Sequence, residues 1–296
     1  MTIGNWGRWG ESDERGALNL LTPEVILEAV QSIKKGKVYS LALPIQQRKV
    51  PVAYPRNTAV HLMALDGGDY AAGARQQGKA QIADDYIFMA THGTTHTDAL
   101  SHIWTEGKMY NGFSGNEVRS TSGARKCGVD KIDWIVARGI HFDLPKYKGT
   151  DHLESGYVIT PDDLEKCAAS QGVSLKPGDA VVLRTGWLNV FYKDEKKFYA
   201  GSPGIGMEAA KYLIEKDVCL VASDTMAVEV LPFEGHENGE NAPVHIEMIR
   251  NYGIYLQELF DLNKLAEDQV YEFLYVAAPL KISGGVGSPL NPLAIS

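Results

Sequence analysis

The stretch ATHGTTHTDALSH, residues 90–102, places three histidines and one carboxylate at the spacing H-x3-H-x-D-x3-H. Neutral imidazole and carboxylate suit a divalent ion of borderline hardness, such as zinc or manganese. Burying so many polar groups without a compensating partner is costly. Four potential ligands together therefore point to an ion rather than to a polar turn. The preceding residues 86–90 (YIFMA) are an apolar run that reads as a buried strand. His92 and His96 have the i, i+4 spacing of helical zinc ligands, but Gly93, Thr94 and Thr95 between them make poor helix. The segment reads instead as a strand running into a tight loop. Where it is extended, His96 and Asp98 face the same way.

Around this motif the composition is that of an ordinary globular protein. The 296 residues are 44% apolar and 22% charged, with a formal net charge of -8. No clustered Lys/Arg patch is present, which argues against nucleic acid as a partner. No run of eighteen apolar residues exists, so no membrane span is expected. The first residues lack the basic and apolar regions of a signal peptide. Cys127, Cys167 and Cys219 are an odd three with no C-x-x-C pair. They read as reduced, buried thiols, and the expected location is the cytoplasm.

Residues 1–20 hold Trp6 and Trp9 in a glycine-rich frame and read as an extended arm whose tryptophans cover the body or a neighbouring subunit. Thr22-Pro23-Glu24 starts a helix, with Thr as N-cap and Pro at the first position, and Gly36 follows its basic end. Residues 37–45 read as a strand, and 66–81 as a loop over a site. Asn111-Gly112 marks a turn. Residues 139–144 form a strand, and Thr160 to Asp163 open a capped helix ending near Gly172. Further strands are expected at 180–185, 218–224, 254–257 and 271–282, with helices from about 206 to 216 and from Pro243 to Gly253. Residues 283–289 read as turns. Strands and helices alternate without repeat or linker, which predicts one α/β domain over residues 1–296, a mixed sheet surrounded by helices.

With these residues in view, His92-x3-His96-x-Asp98-x3-His102 resembles the signature of the metal-dependent cyclase-family hydrolases, which include kynurenine formamidases and isatin hydrolases. The likeness extends through residues 160–164 (TPDDL), 177–179 (PGD), 184–187 (RTGW), 223–225 (SDT) and 284–289, and so covers most of the chain. It implies a β-sheet core with surrounding helices and a homo-oligomer, dimer or tetramer. It also implies that His92, His96 and Asp98 hold metal and that His102 is the acid/base group. His245 matches a later histidine that in kynurenine formamidases completes a second zinc site with a glutamate about a dozen residues on. The alignment of Leu259 and Leu262 puts Gln257 at that acidic position, and Glu258 would then lie on the opposite strand face. A glutamine ligand and a single manganese are features of isatin hydrolases, so the expectation is one divalent ion, manganese favoured and zinc possible, held by His92, His96, Asp98 and Gln257. A lone confident anion, Asp98, agrees with one ion. In that arrangement His245 is free to orient substrate, kept neutral by the exposed N–H groups of its helix start.

The remaining candidates read as structural. His61 and His141 read as packed strand histidines, Asp143 as a hydrogen-bond acceptor, His152 as a surface-loop residue and Asp224-Thr225 as a support at a strand end. His236 is a candidate for the pocket wall, and Trp6, Trp9 and Trp104 for an aromatic wall. The glycines at 284–287 lack the strand–loop–helix context of a phosphate cradle. The expected function is a metal-dependent hydrolase opening the C–N bond of a small cyclic amide, such as an isatin-like lactam. The enzymatic alternatives are arylformamide hydrolysis and hydrolytic opening of a cyclic diketone. A metal-storing or ligand-binding protein without turnover is the rival from another class, and the presence of His102, not needed to hold an ion, argues against it.

Overall fold

A computed structural model describes residues 3–53, 55–75, 79–239 and 241–296. Its core is a nine-stranded mixed sheet. The strands used below are β1 (Val38–Ser40), β2 (Val60–Leu65), β3 (Asp84–Phe88), β4 (His96–Asp98), β5 (Ile135–Asp143), β6 (Ala180–Arg184), β7 (Leu220–Ser223), β8 (Tyr255–Glu258), β9 (Glu272–Ala277), β10 (Gly287–Pro289) and β11 (Leu293–Ile295). The sheet order is β1-β11-β9-β5-β6-β7-β8-β4-β10. The four central strands β5, β6, β7 and β8 run parallel, and the flanking strands pair antiparallel. Of the parallel strands, β6 and β7 are nearly continuous runs of Val, Leu and Ala, and all four are largely buried, as parallel strands covered on both faces must be.

Two of the helices begin where capping chemistry predicts. Thr22 accepts from the Val25 N–H at the start of α1 (Pro23–Val30). Thr160 and Asp163 form a reciprocal capping box on α2 (Pro161–Gln171), which Gly172 closes in the left-handed conformation. The third, α3 (Met207–Glu215), returns the chain to β7. Beyond it, α4 (Pro243–His245) widens into a π-helical turn over Ile246–Asn251 before β8. The N-terminal segment folds back onto this turn: the Trp6 indole donates to the Arg250 carbonyl at 2.8 Å, and Arg250 lies over the ring. Trp6 and Trp9 therefore pack on the body rather than line a pocket.

Several expectations are corrected. The apolar run at 86–90 is not buried: among the described residues β3 pairs only with β2, and the side chains of β3 are exposed. The run is apolar and aromatic enough to be a strand, but nothing among the described residues covers it. His61 lies on the same hairpin, exposed and paired with Asp85 at 2.6 Å, not packed in the core. The 66–81 stretch carries a short helix at Gly67–Ala71, and its residues 76–78 lie outside the described residues. The strand read at 37–45 is only three residues long. Residues 283–289 contain a true strand, β10, which pairs with β4.

Candidate metal centre

The motif strand β4 lies between β8 and β10, with Glu258 opposite His96 and Gln257 opposite Thr97 in one ladder. Side chains alternate across a strand, so His96, Asp98 and Glu258 share one face while Thr97 and Gln257 share the other. This register overturns the assignment of Gln257 as a ligand. Gln257 is fully buried on the far face, where its amide oxygen accepts from the Tyr275 hydroxyl. Glu258 takes the place expected of it: its Oε2 is 3.3 Å from His96 Nε2, and its Oε1 is 3.4 Å from His245 Nε2.

The loop before β4 delivers the first histidine. Thr95 fixes that loop, accepting from the Leu43 N–H at 2.8 Å and donating to the Leu259 carbonyl. His92 Nε2 lies 3.3 Å from Asp98 Oδ1. Gly287 on β10 makes room for it, because a Cβ there would meet His92 Nε2 at 2.3 Å. His96 donates from Nδ1 to the Thr94 carbonyl at 2.6 Å, which leaves Nε2 to face the site, 3.6 Å from Asp98 Oδ1. His102 Nε2 is 4.0 Å from the same oxygen, and its side chain remains 24% exposed. That accessibility separates His102 from the buried His92, His96 and Asp98. On the other side of Asp98, His245 Nε2 lies 3.8 Å from Oδ2.

Two sets of donor atoms thus converge, His92–Asp98–His102 and Asp98–His245–Glu258, with Asp98 common to both. His92 Nε2, His96 Nε2 and both Asp98 oxygens are buried without a hydrogen-bond partner. Buried polar atoms are normally paired, and an inward-facing set of imidazole nitrogens and carboxylate oxygens fits a divalent cation. The electrostatics agree. Burial pushes the His92 imidazole down to about 3. Burial also opposes charge on His96, but Asp98 and Glu258 outweigh it and raise His96 to about 9. Burial opposes the charge on Asp98 and Glu258, yet the surrounding imidazoles hold both below the usual carboxylate range. The site therefore draws positive charge to its centre.

His245 departs from expectation. Its ring was expected to stay neutral at a helix start, but burial and the helix field are outweighed by the Glu229 and Glu258 carboxylates, which raise it well above the ordinary histidine value. Glu229 also accepts from the Val244 N–H at 3.1 Å and the His245 N–H at 3.3 Å, so the field of those groups is already answered.

The cluster opens into a cavity of about 490 Å³ bordered by His102, His245 and Glu258, with Ile103, Met226 and Phe233 as apolar wall and Arg56 as a cation. A larger cleft of about 610 Å³ near Lys146, Arg184, Lys193 and Lys197 contains none of the motif residues. His236, weighed as a pocket residue, points away, its Nδ1 against the Phe233 carbonyl at 3.0 Å, and Phe233 lines the wall instead. His141 is buried with Nδ1 against the Val270 carbonyl, while His152 is held against the Leu153 carbonyl outside the site. Asp224 accepts from the Thr185 N–H and hydroxyl and from the Gly186 N–H, tying the ends of β6 and β7 together. Sequence reasoning missed Glu229 and Arg56, which stand in segments without motif or periodicity. It also set Glu258 aside for its neighbour.

The family model named Cyclase matches residues 39–230. The chain belongs to the cyclase family. A solved structure described as a novel cyclase superposes with a TM-score of 0.91 at 38% identity, covering 99% of this chain and 98% of that one. An isatin hydrolase from Roseibium aggregatum is 28% identical over 221 residues, 72% of this chain and 75% of its own. Isatin hydrolase A from Ralstonia solanacearum shares the fold, with a TM-score of 0.65 at 22% identity over 93% of this chain and 98% of that one. This cyclase-family chain shares with its structural neighbours a mixed sheet surrounded by helices. No helix among the described residues is long and apolar enough to cross a membrane.

Proposed function

We propose that this chain hydrolyses the C–N bond of a small cyclic amide, using His92, His96, Asp98, His245 and Glu258 to hold divalent metal. The observation that carries the reading is the set of unpartnered buried donor atoms beside a largely apolar cavity, with His102 at its wall. A divalent ion bound there would polarise a carbonyl and lower the pKa of a coordinated water.

The residues of the chain supply the rest. Burial holds the His102 imidazole below its ordinary value despite the pull of Asp98, so it is neutral and able to accept a proton near pH 7. His102 takes the proton of the attacking water and returns it to the leaving nitrogen. A C–O bond forms and the C–N bond breaks, its electron pair leaving with the nitrogen that His102 protonates, with no oxidation or reduction. Ile103, Met226 and Phe233 suit a planar apolar ring, while Arg56 offers a charged donor for a substrate carbonyl or the carboxylate product.

The expectation of one ion rested on Gln257 facing the site. With Glu258 there instead, a second anion is present, and the two donor sets that share Asp98 would suit up to two ions. Imidazole and carboxylate donors without thiolate accommodate zinc or manganese, and the manganese preference drawn from a glutamine ligand lapses. Three free, buried cysteines favour the cytoplasm as location. The exposed β2–β3 hairpin favours a homo-oligomer, because Leu62, Met63, Tyr86, Ile87 and Phe88 on one hairpin exceed the scattered apolar exposure of a monomer.

The test is a substrate panel with zinc- or manganese-loaded protein: an isatin-like lactam, an arylformamide and a cyclic diketone. Chelator-sensitive opening of the lactam is expected. Turnover of the arylformamide alone would move the assignment to formamide hydrolysis, and of the diketone alone to C–C cleavage. Tight binding without turnover would leave a ligand-binding protein.

A further inference from the structure

Resting on the metal-dependent reading above, we propose that Glu229 is a positioning residue that locks His245 with its Nε2 lone pair aimed at the metal centre, and so creates the Asp98–His245–Glu258 ion site. Glu229 is 1% exposed. Its Oε1 meets His245 Nδ1 and accepts from the His245 backbone N–H at 3.3 Å, while Oε2 accepts from the Val244 N–H at 3.1 Å. An ionised carboxylate is acceptor-only, so Nδ1 must carry a proton. With Nδ1 taken by Glu229, Nε2 is the nitrogen left to face the site, and it becomes a bare ligand atom once a metal ion displaces its proton. It faces Asp98 Oδ2 at 3.8 Å and Glu258 Oε1 at 3.4 Å. Facing two carboxylate oxygens, Nε2 needs positive charge between itself and them, which a proton supplies in the metal-free chain and a metal ion would supply in its place. The contact that fixes the ring is therefore also the contact that commits Nε2 to a cation. Such partners of ligating histidines set tautomer and ring orientation.

The local backbone is arranged for this contact. Val228, fully buried, adopts a φ of 57°, a conformation uncommon for a β-branched residue. Gly204 opposite has no room for a side chain, since a Cβ there would lie 2.2 Å from the Glu229 carbonyl carbon. Ile205 bridges to Glu229 in a parallel pairing. Among the described residues, no lysine or arginine pairs with Glu229; its one ionic partner is His245. A buried carboxylate committed to a single imidazole is costly for stability alone, which a role at the ion site explains.

The experiment is cobalt(II) titration of metal-free wild-type and Glu229→Gln protein, read by visible absorption and by chelator competition. Glutamine keeps the shape but sets an amide N–H₂ against backbone donors or the ring. The expected result is a loss of ~10–100-fold in affinity at one cobalt site, with the other site unchanged and the fold intact by circular dichroism. Affinities within threefold at every site would overturn the role of Glu229. A wild-type chain that binds no cobalt would overturn the metal-dependent reading itself and this inference with it. Should Glu229→Gln fail to fold, long-range ¹H–¹⁵N spectra of zinc-loaded wild-type protein decide, with His245 assigned through a His245→Gln sample. An Nδ1–H, Nε2-ligated signal supports the proposal, and an Nε2–H signal refutes it.

Discussion

Glu258→Gln and Gln257→Leu together decide which face of β8 carries the metal chemistry. Glu258 lies 3.3 Å from His96 Nε2, where a unit charge at an effective dielectric of ~20 acts with ~5 kcal/mol. Glutamine retains a ligand oxygen but removes that charge, so only part of this is lost. A fall in affinity of at least ~100-fold for one ion is expected, ~2.7 kcal/mol. Gln257→Leu should leave metal content unchanged. Its cost falls on stability, because the Tyr275 hydroxyl loses its partner in a buried site, worth ~1–3 kcal/mol. Metal per chain is measured by plasma emission after dialysis, affinity by chelator competition and stability by urea unfolding. Metal loss in Gln257→Leu with retention in Glu258→Gln would refute the register seen between β4 and β8, and with it the site described here.

Other consequences are open to measurement. His102→Ala should retain its metal while kcat falls ~10²–10⁴-fold, the range of general acid–base help; a metal-free variant would make His102 a ligand. Gly287→Ala should weaken metal binding, because its Cβ would meet His92 Nε2 at 2.3 Å, and unchanged affinity would show that His92 can move without cost. Light scattering should give at least twice the 32.4 kDa chain mass, and Phe88→Asp on the hairpin should lower it; a wild-type monomer would sink the oligomer proposal. Burial depresses His141 to about 4 from 6.5. The unfolded chain therefore binds a proton that the folded chain refuses between those values, and stability falls as pH drops through 6.5 toward 4. Between pH 7 and 5 this amounts to ~2 kcal/mol, and His141→Phe should lose about that much less than wild type in urea unfolding; equal losses would refute the assignment.

What the sequence made legible depended on whether a residue's role is local. The caps of α1 and α2 are decided within four residues, and Thr22, Thr160 and Asp163 behave as their types require. The buried strands β6 and β7 announce themselves as runs of Val, Leu and Ala. His92, His96, Asp98 and His102 converge because they sit on one short strand and its two flanking turns. Roles that depend on a distant partner were hidden. The apolar β3 run gives the same local signal whether its cover comes from its own chain or from elsewhere, so its exposure could not be read. Glu229 is 16 positions from the histidine it holds.

Gln257 and Glu258 show the sharpest form of this limit. On a strand, a one-residue change of register exchanges every inward and outward side chain, and the surrounding YLQE pattern is apolar enough on both faces to permit either choice. The pairing partner breaks the tie. Asp98 and His96 already occupy one face of β4, so the residue of β8 that joins them is the one opposite His96 in the ladder, and that residue is Glu258. Gln257 is left on the far face, where its amide oxygen accepts from the buried Tyr275 hydroxyl. The charge and the amide are each in the environment that tolerates them: the carboxylate among imidazoles that answer its charge, the amide against a hydroxyl in the core. Exchanging the two residues would bury an unpaired carboxylate beside Tyr275 and take an anion from the metal face, so the order Gln-Glu is fixed by both sides of the sheet at once.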